Sequence, residues 1–136
     1  MKRFASANWQ GTGKEGKGTL TTETGVLQST PYSFSSRFED GAGTNPEELI
    51  AAAHAGCFTM KLSFLITDAG FTPGSLDTKA TVKFENGAVT ESHLELRANI
   101  PGIESDRFTK LAEDARANCP ISKLLNTTIT LDAQLV

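Results

Sequence analysis

Two sulfurs are the most reactive atoms in this sequence. Cys57 lies in the middle of the apolar stretch LIAAAHAGCFTMKLSFLI, and Cys119 directly precedes Pro120. A thiol with a pKa of about 8.5 is only a few per cent ionised at pH 7, so each needs help to act as a nucleophile. Cys119 sits at the expected N-cap of a short helix, where free backbone N–H groups and the positive dipole end favour a thiolate. Two readings stand side by side. Both cysteines are small buried hydrophobes, or they are a redox pair in which one thiolate is oxidised to a sulfenic acid and the other resolves it as a disulfide. They are far apart in sequence, so only the fold can bring them together. Other chemistries find little support. There is no Gly-rich phosphate loop, no CxxC and no HExxH, and His54 and His93 with two distant cysteines make a poor zinc site. A Ser-His-Asp hydrolase needs a nucleophile elbow, which is absent. His54 precedes Cys57 by three residues on one helix face; a protonated imidazole there favours thiolate, but a neutral one packed or hydrogen-bonded in the core is the preferred reading. Taken alone, Arg37 reads as a surface arginine and Glu47 as an acid of a first helical turn.

The elements that position these residues follow from local pattern. The first 40 residues read as β, with Tyr32, Phe34 and Phe38 on alternate positions of YSFSSRF. DGAGT at positions 40–44 is a break. Asn45-Pro46-Glu47-Glu48 opens a long helix, with Asn as cap, Pro at the first helical position and two acids at the positive dipole end. Gly70 and Pro73-Gly74 stop it. Asn86-Gly87 joins two alternating runs as a hairpin. Ser105 caps a second helix with Phe108, Leu111, Ala112 and Ala115 on one face. Cys119-Pro120 interrupts that helix and starts PISKLLN. Ile129, Leu131, Ala133 and Leu135 alternate in a closing strand. The predicted class is α+β with a mostly antiparallel sheet and a long central helix.

Composition narrows the function classes. The chain has 136 residues and a mass of 14.5 kDa, which suits one domain spanning 1–136. Its net charge is −3, its pI about 5.4, and it has no cluster of Lys or Arg, so it lacks the electrostatic footprint of a nucleic-acid or anionic-lipid binder. No apolar run follows Met1, so no signal peptide is expected and the predicted location is cytoplasmic. Two cysteines do not make a secreted disulfide scaffold. The apolar stretch around Cys57 contains Lys61, which is costly in a bilayer, so a buried helix of a soluble protein is expected rather than a membrane span. Its apolar residues lie nearly all round, which calls for cover on several sides and hints at a dimer.

The residues RFEDGAGTNPEELIAAAHAGCFTMKLSFL, at 37–65, strongly resemble the OsmC (osmotically inducible protein C) family, which is related to the organic hydroperoxide resistance proteins. The resemblance extends to TETGVLQSTPYSF upstream, through DAGFTP and NIPGIESDRF, to ANCPISKLLNTTITLDAQLV, and so covers nearly the whole chain. NPEEL, seven residues, CF, and a late CP form a specific combination. Gly56 stands where many relatives carry alanine, which touches helix propensity rather than the thiol. The resemblance implies a thiol-dependent peroxidase that reduces organic hydroperoxides, and hydrogen peroxide, in an OsmC-like fold assembled as an intertwined homodimer. It matches Cys57 to the peroxidatic cysteine, Cys119 to the resolving one, and Arg37 and Glu47 to the pair that sets thiolate and peroxide geometry. It implies no metal, flavin or haem, and an external dithiol of lipoyl type as reductant. Two other classes remain: a redox sensor or binding protein using the same disulfide without turnover, and an interaction protein with inert cysteines.

Physics agrees with these roles. A guanidinium stays charged, holds a thiolate and stabilises the alkoxide that develops as an O–O bond breaks. A carboxylate orients it through a bidentate pair. Glu47 and Cys57, however, are ten residues apart on one expected helix, about 15 Å along its axis. If Arg37 and Glu47 both serve Cys57, they are expected from another subunit, or Arg37 arrives independently from a strand. Two antiparallel copies of the long helix crossing near their middles satisfy the first arrangement. Phe38, Phe58 and Phe64 are candidates to line an apolar site for an alkyl hydroperoxide, with ordinary core packing expected for at least two of them.

Overall fold

The computed structural model describes all 136 residues, Met1–Val136, and separates into two compact units, Met1–Leu49 and Ile50–Val136. In the first unit, β1 (Ala5–Gln10), β2 (Lys17–Thr22) and β3 (Thr30–Tyr32) form an antiparallel sheet in that order. Gly18 of β2 lies under the rings of Trp9 and Tyr32, which tilt against each other at 5.3 Å; a Cβ at that position would collide with both. The expected strand over YSFSSRF stops at Tyr32. Phe34–Phe38 is instead a short helix, α1. The cause is local. Ser33 and Ser36 form a reciprocal capping box, with Ser36 N–H donating to Ser33 Oγ and Ser33 N–H to Ser36 Oγ. The helix also stacks Phe34 on Phe38, four residues on, at 5.0 Å, where a strand would set them two pleats apart. Ser36 is buried and its hydroxyl donates to the Thr44 carbonyl at 2.8 Å, which ties α1 to the turn that follows.

The long helix forms as expected, α2 (Pro46–Asp68). Asn45 Oδ1 accepts the Glu48 N–H at 2.8 Å, and Thr44 Oγ1 donates to the Glu48 carboxylate at 2.6 Å. Gly70, at φ +92°, ends it, and the Phe71 N–H returns to the Ile66 carbonyl.

In the second unit, β4 (Ser75–Glu85) and β5 (Ala88–Asn99) form an antiparallel hairpin about Asn86-Gly87, both at positive φ. The chain then crosses through α3 (Ser105–Asn118) and α4 (Pro120–Leu124) and returns as β6 (Thr128–Leu135), parallel to β5. The residue capping α3 is Glu104, with no side-chain cap bond, so Ser105 is its first helical residue rather than its cap. His54, Phe58, Leu62 and Ile66, spaced by four on α2, are buried as one stripe in a core shared with Leu94 and Leu96 of β5 and Phe108 and Ala112 of α3.

The opposite flank of α2 is not covered by its own chain. Within one chain only that stripe is buried, and Met60 and Phe64 are about two-thirds exposed. Phe38 is also half exposed, so of the three phenylalanines considered above only Phe58 is a core residue. By length and composition α2 is apolar enough to cross a membrane, but it carries Lys61 and packs its stripe into the core of its own unit.

Leu62 is fully buried in this core. Leu62→Ala is expected to cost about 2–5 kcal/mol, read as a lower urea midpoint at an unchanged slope; a loss below about 1 kcal/mol would contradict the packing described.

Candidate active site

The two sulfurs meet at the start of α4. Cys119 ends α3, its N–H reaching the Ala115 carbonyl at 3.0 Å, and at the same time caps α4 in an extended conformation (φ −64°, ψ 139°). Pro120 enforces that turn, because the residue before a proline is driven out of helical geometry. Pro120 is also the first residue of α4 and brings no N–H. The Ser122 N–H donates to Cys119 Sγ at 3.3 Å, and the Ile121 N–H faces the Cys57 thiol, where it favours the thiolate. Cys57 packs beside the buried Cys119, close enough for each thiol to act on the other's ionisation, so two residues far apart in sequence become neighbours. Both are free thiols; Cys119 is fully buried and Cys57 partly so.

Burial pushes the Cys57 thiol above its ordinary pKa. The Ile121 N–H opposes the rise, Cys119 adds to it, and Lys61, one turn further along α2, weakly opposes it. The cation this arrangement brings to Cys57 is therefore a lysine, and its effect is outweighed.

A second pair forms in the first unit. Arg37 on α1 donates from Nε to Glu47 Oε1 at 3.0 Å and from Nη2 to the same oxygen at 2.7 Å, with Nε also 3.2 Å from Oε2. Glu47 sits in the first turn of α2, where the helix dipole favours its charge. The α1 capping box and the Ser36–Thr44 bond set the height of Arg37. The guanidinium also lies 5.2 Å from the Phe38 ring. Beside it, Trp9, Tyr32, Phe34 and Phe38 line a small cavity of about 100 Å³. Of the four residues singled out in the sequence, the fold joins Arg37 to Glu47 within the first unit and brings Cys57 beside Cys119 within the second. No group of three or more His, Cys, Asp or Glu side chains is arranged to hold a metal ion.

Sequence reasoning missed two hydroxyls. His54 is fully buried, with Nδ1 2.6 Å from Ser92 Oγ and Nε2 2.8 Å from Ser122 Oγ. Ser122 Oγ is in turn 3.1 Å from Cys119 Sγ. The expectation of a hydrogen-bonded core histidine is met. The signal for Ser122 was present: Cys-Pro-Ile-Ser puts a hydroxyl three residues after an N-cap, the spacing of a capping box. Nothing local pointed to Ser92.

The Cys57 thiol is expected to be alkylated more slowly at pH 7 when its opposing cation is removed. Lys61→Gln should slow iodoacetamide labelling of Cys57, followed by peptide mass spectrometry, by about two- to fivefold, with the pH midpoint moved upward. Faster labelling would contradict the assignment.

A profile of the family described as "OsmC-like protein" matches residues 39–134. The chain is 50% identical to "Peroxiredoxin OsmC" of Escherichia coli (strain K12) over 139 aligned positions, covering 99% of this chain and 97% of that protein. It is 28% identical to "Organic hydroperoxide resistance protein-like 1" of Staphylococcus epidermidis, covering 71% and 74% of the two chains. Among solved structures, an OsmC-like protein from Mycoplasma pneumoniae superposes with a TM-score of 0.76 at 14% identity, covering 100% of this chain and 98% of the other, which bears on the fold alone.

Proposed function

Because the chain belongs to the OsmC-like family, we propose that it is a cysteine-based peroxidase that reduces organic hydroperoxides to alcohols, and hydrogen peroxide to water. The observation that carries this reading is the meeting of the Cys57 and Cys119 sulfurs at the start of α4. The Cys57 thiolate attacks the outer oxygen of the hydroperoxide. The O–O bond breaks, the alkoxide leaves and takes up a proton, and Cys57 is left as a sulfenic acid. Cys119 then attacks the oxidised sulfur; the S–S bond forms, and the sulfenic oxygen leaves as water. An external dithiol, of lipoyl type or another small one, returns both thiols by exchange. The names of the two curated relatives agree with this reaction class. No resident cofactor enters the scheme.

In the same reading the whole chain works as one domain, in the cytoplasm, as a homodimer. Arg37 and Glu47 of one subunit serve Cys57 of the other. Glu47 and Cys57 are ten positions apart on α2, about 15 Å of axis, too far for a side chain to bridge. The bidentate pair holds the guanidinium rigid, which suits it to stabilise first a thiolate and then a departing alkoxide. The exposed apolar flank of α2 at Met60 and Phe64 supports burial against a second copy.

With cumene hydroperoxide and a dithiol, sustained consumption is expected from the parent and none from Cys57→Ser. A single stoichiometric burst would indicate a sensor, and full consumption by Cys57→Ser would end the enzyme reading. Mixing the inactive parents Cys57→Ser and Glu47→Gln should restore about a quarter of the original rate, because half the dimers are mixed and each mixed dimer has one complete site. Uniformly inactive mixtures would overturn sharing between subunits.

A further inference from the structure

Cys119 presents a proton problem. Its sulfur has no exposed surface, so no water is at hand to take its proton when it attacks. The polar groups beside that sulfur are Cys57, which as the sulfenic acid is the group being attacked, the Ser122 N–H, which only donates, and the Ser122 hydroxyl. The hydroxyl is itself 2.8 Å from His54 Nε2, and His54 Nδ1 is 2.6 Å from Ser92 Oγ. With Cys119 as a thiol, one consistent set of donors runs through the chain. Cys119 S–H donates to Ser122 Oγ, Ser122 O–H donates to His54 Nε2, and His54 Nδ1–H donates to Ser92 Oγ.

We propose that Ser122 and His54 form a proton relay that activates Cys119 for disulfide formation. Ser122 is the catalytic group, since its hydroxyl touches the reacting sulfur. His54 is the positioning residue behind it and holds the relayed proton. The proposal rests on the peroxidase reading of Cys57 and Cys119.

In the step itself, the Cys119 sulfur supplies an electron pair to the Cys57 sulfur. The new S–S bond forms as the Cys57 S–O bond breaks; Cys119 is oxidised and Cys57 reduced. The Cys119 proton passes to Ser122 Oγ while the Ser122 hydroxyl proton passes to His54 Nε2. The hydroxide that leaves Cys57 takes up a proton, the imidazolium gives one back, and the net product is the disulfide and one water. Both imidazolium N–H groups already have hydroxyl acceptors, Ser122 and Ser92, so the charged ring is hydrogen-bonded without any shift. Burial keeps the resting pKa of His54 below its ordinary value, so the ring is neutral at pH 7 with a lone pair available. Neither ring nitrogen bonds a carboxylate. The titratable groups packed beside it are the two thiols, Cys57 one turn along α2 and Cys119 through Ser122 from the α3–α4 junction; the sheet side presents Ser92. A base with no carboxylate behind it releases its proton readily, as a transient carrier must.

The test uses the full chain and follows two steps separately: sulfenic acid formation on Cys57 with one equivalent of hydroperoxide, and the disulfide formation that follows. Ser122→Ala is expected to slow disulfide formation about 10- to 100-fold while Cys57 oxidation stays within about twofold of the parent. Ser122→Thr, which keeps the hydroxyl, should recover most of the rate. His54→Gln, which keeps a polar partner but cannot carry the proton, should be as slow as Ser122→Ala. In the parent itself, D₂O should slow disulfide formation about twofold or more and leave oxidation unchanged; this arm needs no variant to fold. An unchanged disulfide rate in Ser122→Ala, a Ser122→Thr as slow as Ser122→Ala, both steps falling together, or no solvent isotope effect on the second step would each overturn the relay. A parent that oxidises Cys57 without ever forming the disulfide would sink the resolving role of Cys119 and the relay with it, whereas a parent that never oxidises Cys57 would sink the peroxidase reading first.

Discussion

The short helix α4 begins with too few acceptors for its first amides, and the site follows from how that shortage is met. Every helix start leaves N–H groups without partners. Here Pro120 removes one, the Cys119 sulfur accepts the Ser122 N–H, and the Ile121 N–H favours the Cys57 thiolate. Had α3 continued through position 119, the Cys119 sulfur would face wherever the helical screw carried it, with no amides to meet. The extended conformation imposed at Cys119 by Pro120 breaks that screw and turns the new helix start onto both thiols. A short stretch of backbone thus does what neither cysteine does by its own position in sequence: it brings an α2 sulfur and an α3–α4 sulfur side by side.

The same arrangement opposes the first chemical step. Burial and a second thiol raise the Cys57 pKa, and each unit of rise removes tenfold of the nucleophile at neutral pH. Lys61 and one amide do not reverse this. A guanidinium can: two unit charges about 4 Å apart interact by about 4 kcal/mol at an effective dielectric of 20, equivalent to roughly three pKa units. That magnitude exceeds what amide capping offers, and it is what the proposed reading asks of Arg37. A surface pair by itself contributes little to stability, whereas the Arg37–Glu47 fork is held in three short contacts and supported from behind by the α1 capping box and the buried Ser36 hydroxyl. Those supports make sense as positioning rather than as stabilisation.

What the sequence made legible was local. The Asn45-Pro46 start, the Gly70 stop, the Asn86-Gly87 hairpin and the Cys119-Pro120 break each rest on a backbone rule acting within four residues, and each appears in the fold. Where two local signals competed, the weaker was visible first. YSFSSRF alternates like a strand, but the Ser33–Ser36 box supplies two hydrogen bonds that alternation does not, and α1 results. Core packing fails at Phe64 because apolar character alone does not separate a core face from an exposed flank when a helix is apolar all round, and at Phe38 because the expected strand is the short helix α1. The thiol pairing was implied by resemblance only, since spacing is silent on contacts across so long a stretch. The Ser92–His54 and His54–Ser122 bonds also join residues distant in sequence, and no pattern rule reaches that far.

The energetics of His54 bear on why such a network exists. A neutral hydrogen bond contributes on the order of 1 kcal/mol, and replacing both partners by apolar groups of similar shape is close to neutral. Burying an imidazole and two hydroxyls therefore brings no stability that hydrocarbon would not also supply, and it adds the risk that one lost partner leaves another unsatisfied. As built, no buried side-chain polar atom lacks a partner, so the network is complete, directional, and ends on a sulfur. A stability account leaves its direction unexplained. A chemical account does not: a sealed thiol that must lose its proton needs a hydroxyl against it and a base beyond the hydroxyl, in that order, and that is the order of Cys119, Ser122 and His54.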